Sequence, residues 1–210
     1  MRMRNKPWAM DFLEENNNIV DIDSTYSGRV GAFFDETRPL HIEVGTGMGT
    51  FITELAKRHP EINFVGIELD KNVIVRVVEK VIEANLGNVR LVLLDANAID
   101  TYFRNDEVSR IYLNFSDPWP KTRHEKRRLT SSTFLEKYGA ILKEEGILQF
   151  KTDNRGLFEF SLVSMNTKGM HFHEVQLDLH ADEPEDNIRT EYEEKFSAKG
   201  NKIYRIRASF

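Results

Sequence analysis

The sequence predicts an α/β fold, a doubly wound and mostly parallel sheet of seven strands with an antiparallel pair at one edge. From residue 39 onward, short continuously apolar segments alternate with segments of helical periodicity. This alternation is typical of βαβ units whose parallel strands are buried on both faces. The last two segments instead alternate apolar and polar residues, which favours a half-exposed antiparallel pair. We therefore expect residues 1–38 to form an N-terminal arm and residues 39–210 to form one domain.

Each predicted element has a local reason in the sequence. The first strand is apolar and stops at Gly45, and the helix after it stops before Pro60. A row of valines lies on one side of the next helix, which Gly87 ends. The seven predicted strands cover residues 40–44, 63–68, 89–94, 111–115, 146–150, 172–179 and 202–210. The predicted helices cover residues 51–58, 72–85, 130–142 and 154–165, and a further helix begins after an N-cap at Thr190.

Composition excludes several classes of protein. The 210 residues contain no cysteine, so disulfides, thiolate catalysis and zinc–thiolate sites are excluded. No apolar run approaches the roughly 18 residues of a membrane span. The basic N-terminus is not followed by an apolar stretch, so it does not resemble a signal peptide, and a cytoplasmic location is expected. His171 and His173 share a strand face without a third ligand, so we expect no metal site.

Carboxylates stand at the ends of the predicted parallel strands, where ligands of open α/β sheets bind. The first strand ends in Glu43, and the loop after it contains three glycines that let a ligand approach the backbone. Glu43 would repel a pyrophosphate but attract the ammonium and sulfonium groups of S-adenosyl-L-methionine, which is the expected cofactor. Glu68 would bind its ribose hydroxyls, and Asp95 its adenine amino group. The loop glycines expected at this cofactor site are Gly45, Gly47 and Gly49.

A strongly basic segment follows the fourth predicted strand. Residues 121–128 hold five bases and one acid, a net charge of +4 on a chain whose net charge is −5. A run of charges is often only a solvated surface. Because this run follows the strand end that carries Asp117, we interpret it as a phosphate clamp for nucleic acid.

The N-terminal arm has its own basic residues, Arg2, Arg4 and Lys6, close to Trp8. A second contact with nucleic acid would combine these charges with stacking on the indole ring. We favour a packing role for Trp8, as the anchor of an arm that contains one short helix.

Several motifs occur in a fixed order along nearly the whole chain. They are Arg4-Asn-Lys-Pro-Trp8, Glu43-Val-Gly-Thr-Gly-Met-Gly49, Ser116-Asp-Pro-Trp-Pro-Lys121, Arg123-His-Glu-Lys-Arg-Arg128, Phe150-Lys-Thr-Asp153 and Thr190-Glu-Tyr-Glu193. Together they resemble the bacterial tRNA (guanine-N7)-methyltransferase family. The glycine loop is shared by many methyltransferases, whereas the Ser-Asp-Pro-Trp-Pro-Lys motif with the basic run behind it is highly specific.

The resemblance implies a Rossmann-like methyltransferase fold and methyl transfer from S-adenosyl-L-methionine to the variable-loop guanine at tRNA position 46. It implies that Asp117 is the catalytic residue and that the cofactor site comprises Glu43, Glu68, Asp95 and Asp117. The implied substrate contacts are Lys121, Asp153, Thr190, Glu191, Tyr192 and Glu193. The implied RNA-binding segment comprises Arg123, His124, Glu125, Lys126, Arg127 and Arg128.

The implied chemistry asks little of acids and bases, because guanine N7 has a free lone pair and the leaving group is a neutral thioether. Positioning should dominate, and up to ~7–11 kcal/mol is available from it. Asp117 would stabilise the positive charge that the base acquires. Alternatively it would accept from guanine N1–H and the exocyclic amine, a contact expected of at least one of Asp117, Asp153 and Glu193. Trp119 would stack on the base or support the loop, and both interpretations stay open.

Other functions remain open at this point. A methyltransferase for a small molecule or a protein would have no use for the basic run, and a catalytically silent tRNA-binding protein would tolerate loss of Asp117. A nicotinamide oxidoreductase is disfavoured by Glu43. We expect tRNA as the partner and neither a metal nor a membrane, and the sequence leaves a homodimer open.

Overall fold

A computed structural model of the chain describes residues 5–210, so Arg2 and Arg4 lie outside the described residues. The chain divides into two compact units, the first ending at Arg104 and the second beginning at Asn105. Within residues 5–210, no helix combines the length and the apolar character that crossing a membrane requires.

Four parallel strands build the sheet of the first unit: β1 (Val20–Asp21), β2 (Leu40–Val44), β3 (Asn63–Glu68) and β4 (Val89–Leu93). Their order is β1-β4-β3-β2. The unit's helices are α1 (Ala9–Glu15), α2 (Thr50–Arg58), α3 (Lys71–Glu83) and α4 (Ile99–Tyr102). Most residues of β2, β3 and β4 are buried, as expected for strands covered on both faces. The register aligns the carboxyl ends of these three strands at one edge of the sheet.

The second unit contains β5 (Val108–Asn114), β6 (Leu142–Thr152), β7 (His171–Gln176) and β8 (Tyr204–Ser209), in the order β5-β6-β8-β7. β5 and β6 are parallel, whereas β8 runs antiparallel to both β6 and β7, which confirms the predicted antiparallel edge pair. The helices of this unit are α5 (Ser132–Ile141), α6 (Arg155–Thr167) and α7 (Glu191–Ser197). Thr190 caps α7 as predicted, because its Oγ1 accepts a hydrogen bond from the backbone N–H of Glu193 at 2.9 Å.

The α/β class and the mostly parallel strands are confirmed, but the described residues contain eight strands rather than the predicted seven. The additional strand is β1, a two-residue pairing with Leu91 and Val92 that is too short to give a periodic signal. Three 3₁₀ segments were not predicted either, and they cover Val30–Phe33, Ala96–Ala98 and Thr122–Arg127.

The packing role expected for Trp8 is wrong. Trp8 directly precedes α1 and is 47% exposed. The rings of Trp8 and Phe12 meet edge-on with their centroids 5.9 Å apart, and Lys6 Nζ lies 5.4 Å from the centroid of the Trp8 ring. The residues of α1 that are fully buried are Ala9 and Leu13. Small and aliphatic side chains therefore anchor this helix, and the indole ring stays at the surface.

Candidate active site

The glycine loop after β2 has one open part and one tightly packed part. Gly47 (φ 52°) adopts the left-handed region, and a Cβ atom there would meet nothing within 4 Å. Gly49 (φ 81°) is the N-cap residue of α2, and a Cβ atom there would lie 2.7 Å from Cγ1 of Val77 on α3. The loop therefore keeps free space at its tip while its end is pressed against a neighbouring helix.

Glu68 connects the end of β3 to this loop. Its Oε2 accepts a hydrogen bond from the Gly47 N–H at 3.2 Å, and its Oε1 accepts from the N–H groups of Leu69 and Asp70 at 2.9 and 3.1 Å. Burial raises the pKa of Glu68 above its usual value, and these backbone donors oppose the shift. The half-buried carboxylate is thus held at the carboxyl end of the sheet, beside the open part of the loop.

The remaining polar groups of this edge differ in exposure. Glu43 is 2% exposed, at the end of β2. Thr46 is also buried, and within residues 5–210 its Oγ1 has no hydrogen-bond partner. Asp95 is exposed, and its Oδ1 accepts from both the N–H and the side-chain amide of Asn97 at 2.8 Å. Asp95 therefore caps the short 3₁₀ segment after β4 and keeps its carboxylate at the surface.

In the second unit, an irregular loop follows β5 and presents Asp117 to solvent. Phe115 (φ 52°) and Trp119 (φ 40°) both adopt left-handed backbone conformations. Trp119 is half-buried, with the Arg127 guanidinium 4.8 Å from its ring centroid and the His124 ring edge-on at 5.6 Å. Non-glycine residues in this backbone region concentrate at functional sites.

Tyr192, on the first turn of α7, lies near two carboxylates of this unit, Asp153 and Asp117. Its ring packs at 5.0 Å from Phe115 and 4.1 Å from Phe196 between centroids. Burial, with the charges of Asp153 and Asp117, raises the pKa of the Tyr192 hydroxyl. Both carboxylates, which follow β5 and β6, therefore lie within electrostatic reach of the tyrosine hydroxyl.

A buried polar network lies beneath this surface. The Nζ of Lys151 is 2.5 Å from Oε2 of Glu193, and both side chains are fully buried. The second oxygen of Glu193 accepts from Asn187 Nδ2 at 3.0 Å and lies 2.9 Å from His180 Nε2. Burial alone would raise the pKa of Glu193, but the charge of Lys151 and these hydrogen bonds outweigh it and lower the pKa.

His180, Glu183 and Glu193 also present possible ligand atoms within 4.8 Å of one another. Both carboxylates already have cationic partners, Lys151 for Glu193 and Arg189 for Glu183. We therefore describe this cluster as an ion-pair network.

Comparison with known proteins decides the family. The protein-family model described as "Putative methyltransferase" matches residues 37–206. The tRNA (guanine-N(7)-)-methyltransferase of Staphylococcus carnosus (strain TM300) is 57% identical over 210 residues, which is the full length of both chains. The enzyme of the same name from Macrococcus caseolyticus (strain JCSC5402) is also 57% identical over the full length of both.

The chain belongs to the tRNA (guanine-N(7)-)-methyltransferase family.

Solved structures more distant than this family share its fold. An antibiotic-related methyltransferase superimposes with a TM-score of 0.65 at 20% identity, covering 87% of this chain and 92% of the other. A SAM-dependent methyltransferase from Aquifex aeolicus gives a TM-score of 0.58 at 14% identity, covering 98% of each chain. At these identities the likeness concerns the fold alone.

The residues implied by the family motifs lie in both units of the chain. The first unit gathers Glu43, Glu68 and the glycine loop, and the second gathers Asp117, Asp153 and Tyr192. Glu191 is exposed on the first turn of α7. The basic segment exposes Lys121, Arg123, Glu125, Lys126 and Arg127, whereas His124 and Arg128 are half-buried.

The family resemblance implies that Glu193 contacts the substrate, but its side chain is not accessible. A substrate contact requires an accessible carboxylate, but Glu193 is fully buried and holds Lys151, His180 and Asn187. Its position is that of a residue that orients the first turn of α7, on which Tyr192 stands.

The sequence analysis did not identify three residues that support the Asp117, Asp153 and Tyr192 region of this tRNA (guanine-N(7)-)-methyltransferase family member. Lys151 carries the buried pair, Phe115 packs on Tyr192, and Asn201 donates a hydrogen bond to Asp153 Oδ2 at 3.0 Å. Nothing local distinguished Lys151, because β6 also contains Lys143, Glu144 and Glu145, and lysine is rarely fully buried. Nothing local in the sequence indicated Asn201, because its contact with Asp153 depends on tertiary structure.

Proposed function

We propose that the chain transfers a methyl group from S-adenosyl-L-methionine to N7 of the variable-loop guanine at position 46 of tRNA. The observation that carries the proposal is that exposed Asp117 and half-buried Asp153 both lie near the exposed ring of Tyr192, in the same unit as a basic segment. The family membership supports the same reaction. We infer tRNA as the partner and the cytoplasm as its location, while homodimer formation stays open.

The first unit has the features that a cationic, ribose-bearing methyl donor requires. Glu43 and Glu68 supply negative charge and hydrogen-bond acceptors, and Gly45 and Gly47 leave open space where a Cβ atom would otherwise intrude. The buried hydroxyl of Thr46, which has no hydrogen-bond partner among the described residues, offers one further polar contact. Bound there, S-adenosyl-L-methionine would supply an electrophilic methyl group on a sulfonium.

The second unit has the features that a guanine within a polyanion requires. The carboxylates of Asp117 and Asp153 can accept hydrogen bonds from a base, and Tyr192 adds a partly exposed aromatic ring near them. The exposed bases of residues 121–127 supply the charge that neutralises phosphates. Phosphate contacts would position the RNA, and the carboxylates would select the base.

The reaction balances without a protein base. The lone pair of guanine N7 forms the new N–C bond as the C–S bond of the donor breaks, the sulfur leaves as a neutral thioether, and the base becomes cationic. Asp117 would stabilise this charge or accept from the guanine N1–H and amino group. Losing one such base contact costs about 1–3 kcal/mol of discrimination.

The test is methyl transfer into unmodified tRNA with a labelled donor, followed by nuclease mapping of the modified nucleoside. We expect label in N7-methylguanosine of the variable loop and none when that guanine is replaced by adenine. Asp117→Asn should lower turnover by roughly ten- to hundredfold. Glu144→Gln is the matched control, because it also converts an exposed carboxylate of the second unit to an amide.

Several outcomes would contradict the proposal. Label at another nucleoside would contradict the assigned target, and unchanged turnover in Asp117→Asn would remove that residue from the reaction. Methylation of a small molecule or a protein with none into tRNA would favour the corresponding alternative. Calorimetry with S-adenosyl-L-methionine and a nicotinamide dinucleotide should show binding of the first alone.

A further inference from the structure

Arg128 ends the basic segment, yet its guanidinium faces the protein. Its Nε donates to the carbonyl oxygen of Pro118 at 3.2 Å, and its Nη2 donates to that of Trp119 at 3.1 Å. Its Cζ stands 4.3 Å from the ring centroid of Phe160 on α6. Two of the three guanidinium nitrogens, Nε and Nη2, are therefore engaged with the backbone of the loop that presents Asp117.

The other bases of the segment are arranged differently. Lys121, Arg123, Lys126 and Arg127 are exposed, whereas Arg128 is half-buried. Charges in solvent are available to neutralise phosphates and release counterions. One arginine of the run thus differs from its neighbours in both exposure and hydrogen bonding.

The loop needs support from outside itself. Pro118 and Pro120 have no N–H to donate, and Trp119 between them has a left-handed backbone conformation. The carbonyl groups of Pro118 and Trp119 find their donor in Arg128. Since Asp117 directly precedes these two residues, the direction of its carboxylate depends on the loop that Arg128 holds.

We propose that Arg128 is a positioning residue that fixes the loop of residues 117–119, and that it does not serve as a phosphate contact. The inference rests on the proposed function, because the effect on methyl transfer runs through Asp117. Lysine should fail to replace Arg128, since an ammonium group lacks both the planar fork that bridges two carbonyl groups and the flat surface that covers Phe160.

The test separates a positioning role from a charge role. In a Trp8→Phe background, Trp119 is the only remaining tryptophan of the two in the chain, so acrylamide quenching of its fluorescence reports the order of the loop. Arg128→Gln and Arg128→Lys are compared with Arg123→Gln, which removes an exposed arginine of the same segment. Quenching, turnover at saturating tRNA and the salt dependence of tRNA affinity are measured for each variant.

We expect both Arg128 variants to increase Trp119 quenching and to lower turnover on the order of tenfold or more. Their salt slopes should match that of the parent. Arg123→Gln should lessen the slope of log affinity against log salt by about one and leave the quenching unchanged.

The opposite pattern would overturn the inference: a reduced salt slope in Arg128→Gln with unchanged Trp119 quenching. If the parent methylates no tRNA, the proposed function fails, while the quenching still decides whether Arg128 holds the loop. Should Arg128→Gln fail to fold, Arg128→Lys keeps the positive charge but lacks the planar fork that bridges the two carbonyl groups. Unchanged quenching and unchanged turnover in Arg128→Lys would then count against the inference.

Discussion

Lys151 and Glu193 form a fully buried ion pair that joins β6 to the first turn of α7, with Nζ 2.5 Å from Oε2. Lys151 also donates to the carbonyl oxygen of Ile188 at 2.8 Å, so one ammonium group holds the chain just before α7 as well as the helix itself. Tyr192 stands between these two anchoring points. The buried pair therefore determines where its ring meets Phe115.

Lys151→Met should destabilise the protein by about 3–5 kcal/mol, because it leaves a buried carboxylate without its cation. The double variant Lys151→Met, Glu193→Leu should recover much of this loss, since no buried charge remains. Arg155→Met is the control, because the exposed pair of Arg155 with Glu159 should contribute less than about 1 kcal/mol. Urea unfolding measures all three, and equal losses in the single and double variants would contradict the prediction.

The same pair should make stability depend on acid pH. The pKa of Glu193 is lower in the folded protein than its usual 4.5, so its ionised form is favoured by folding. Its contribution should be complete above about pH 4.5 and should disappear as the pH falls through the lowered folded value. Glu193→Gln should remove this part of the pH dependence. The measurement is the difference in unfolding free energy between wild type and variant at each pH. A difference that stays constant with pH would contradict the prediction that Glu193 causes this pH dependence.

Substitution of two loop glycines should separate binding from folding. Gly47→Ala should cost only about 1–2 kcal/mol of stability, since its left-handed backbone is strained but its surroundings are open. It should weaken binding of S-adenosyl-L-homocysteine, because the new methyl group projects into the open space. Gly49→Ala should destabilise more, because its methyl group meets Val77. Calorimetry and thermal unfolding measure the two effects.

A second substitution tests whether the contact with Val77 is what destabilises Gly49→Ala. Val77→Ala makes room on α3, so the double variant Gly49→Ala, Val77→Ala should lose less stability than the sum of the single losses, by roughly 0.5–3 kcal/mol. Simple additivity would show that the contact with Val77 is not the cause.

Cofactor affinity should fall in mild acid. Burial raises the pKa of Glu68 above 4.5, so its carboxylate takes up a proton, and loses acceptor capacity for ribose hydroxyls, at a higher pH than an exposed glutamate would. Calorimetric titration with S-adenosyl-L-homocysteine should show weakening that begins above pH 4.5. Glu68→Gln should bind more weakly at neutral pH and lose this component of the pH dependence. The same pH profile in wild type and variant would assign the effect to another group.

Periodic segments of the sequence predicted the fold closely where burial dictates the pattern. The bounds of β2 and β3 agree with those expected, because strands covered on both faces are almost continuously apolar. The 3₁₀ segment Thr122–Arg127 was not predicted, since six polar residues give no periodicity to recognise.

The candidate site was predictable in its residue types but not in its contacts. Strand ends located the carboxylates of Glu68 and Asp117, yet nothing local showed that Glu193 would be buried. Nor did the basic run distinguish Arg128 from Arg127, because the carbonyl groups that Arg128 meets are brought to it only by the fold of the preceding loop. The roles of these residues in binding and catalysis stay predictions.

The two-residue strand β1 has a consequence for self-association. It covers the outer side of β4, where Leu91 N–H bonds to the Ile19 carbonyl at 2.8 Å, and Asp21 is tied down by the Tyr102 hydroxyl at 2.6 Å. A chain that lacks the residues up to Asp21 would expose β4 as an edge strand. Its unpaired backbone groups would then pair with a strand from another molecule. The first effect of shortening the N-terminal segment would thus be aggregation of the protein.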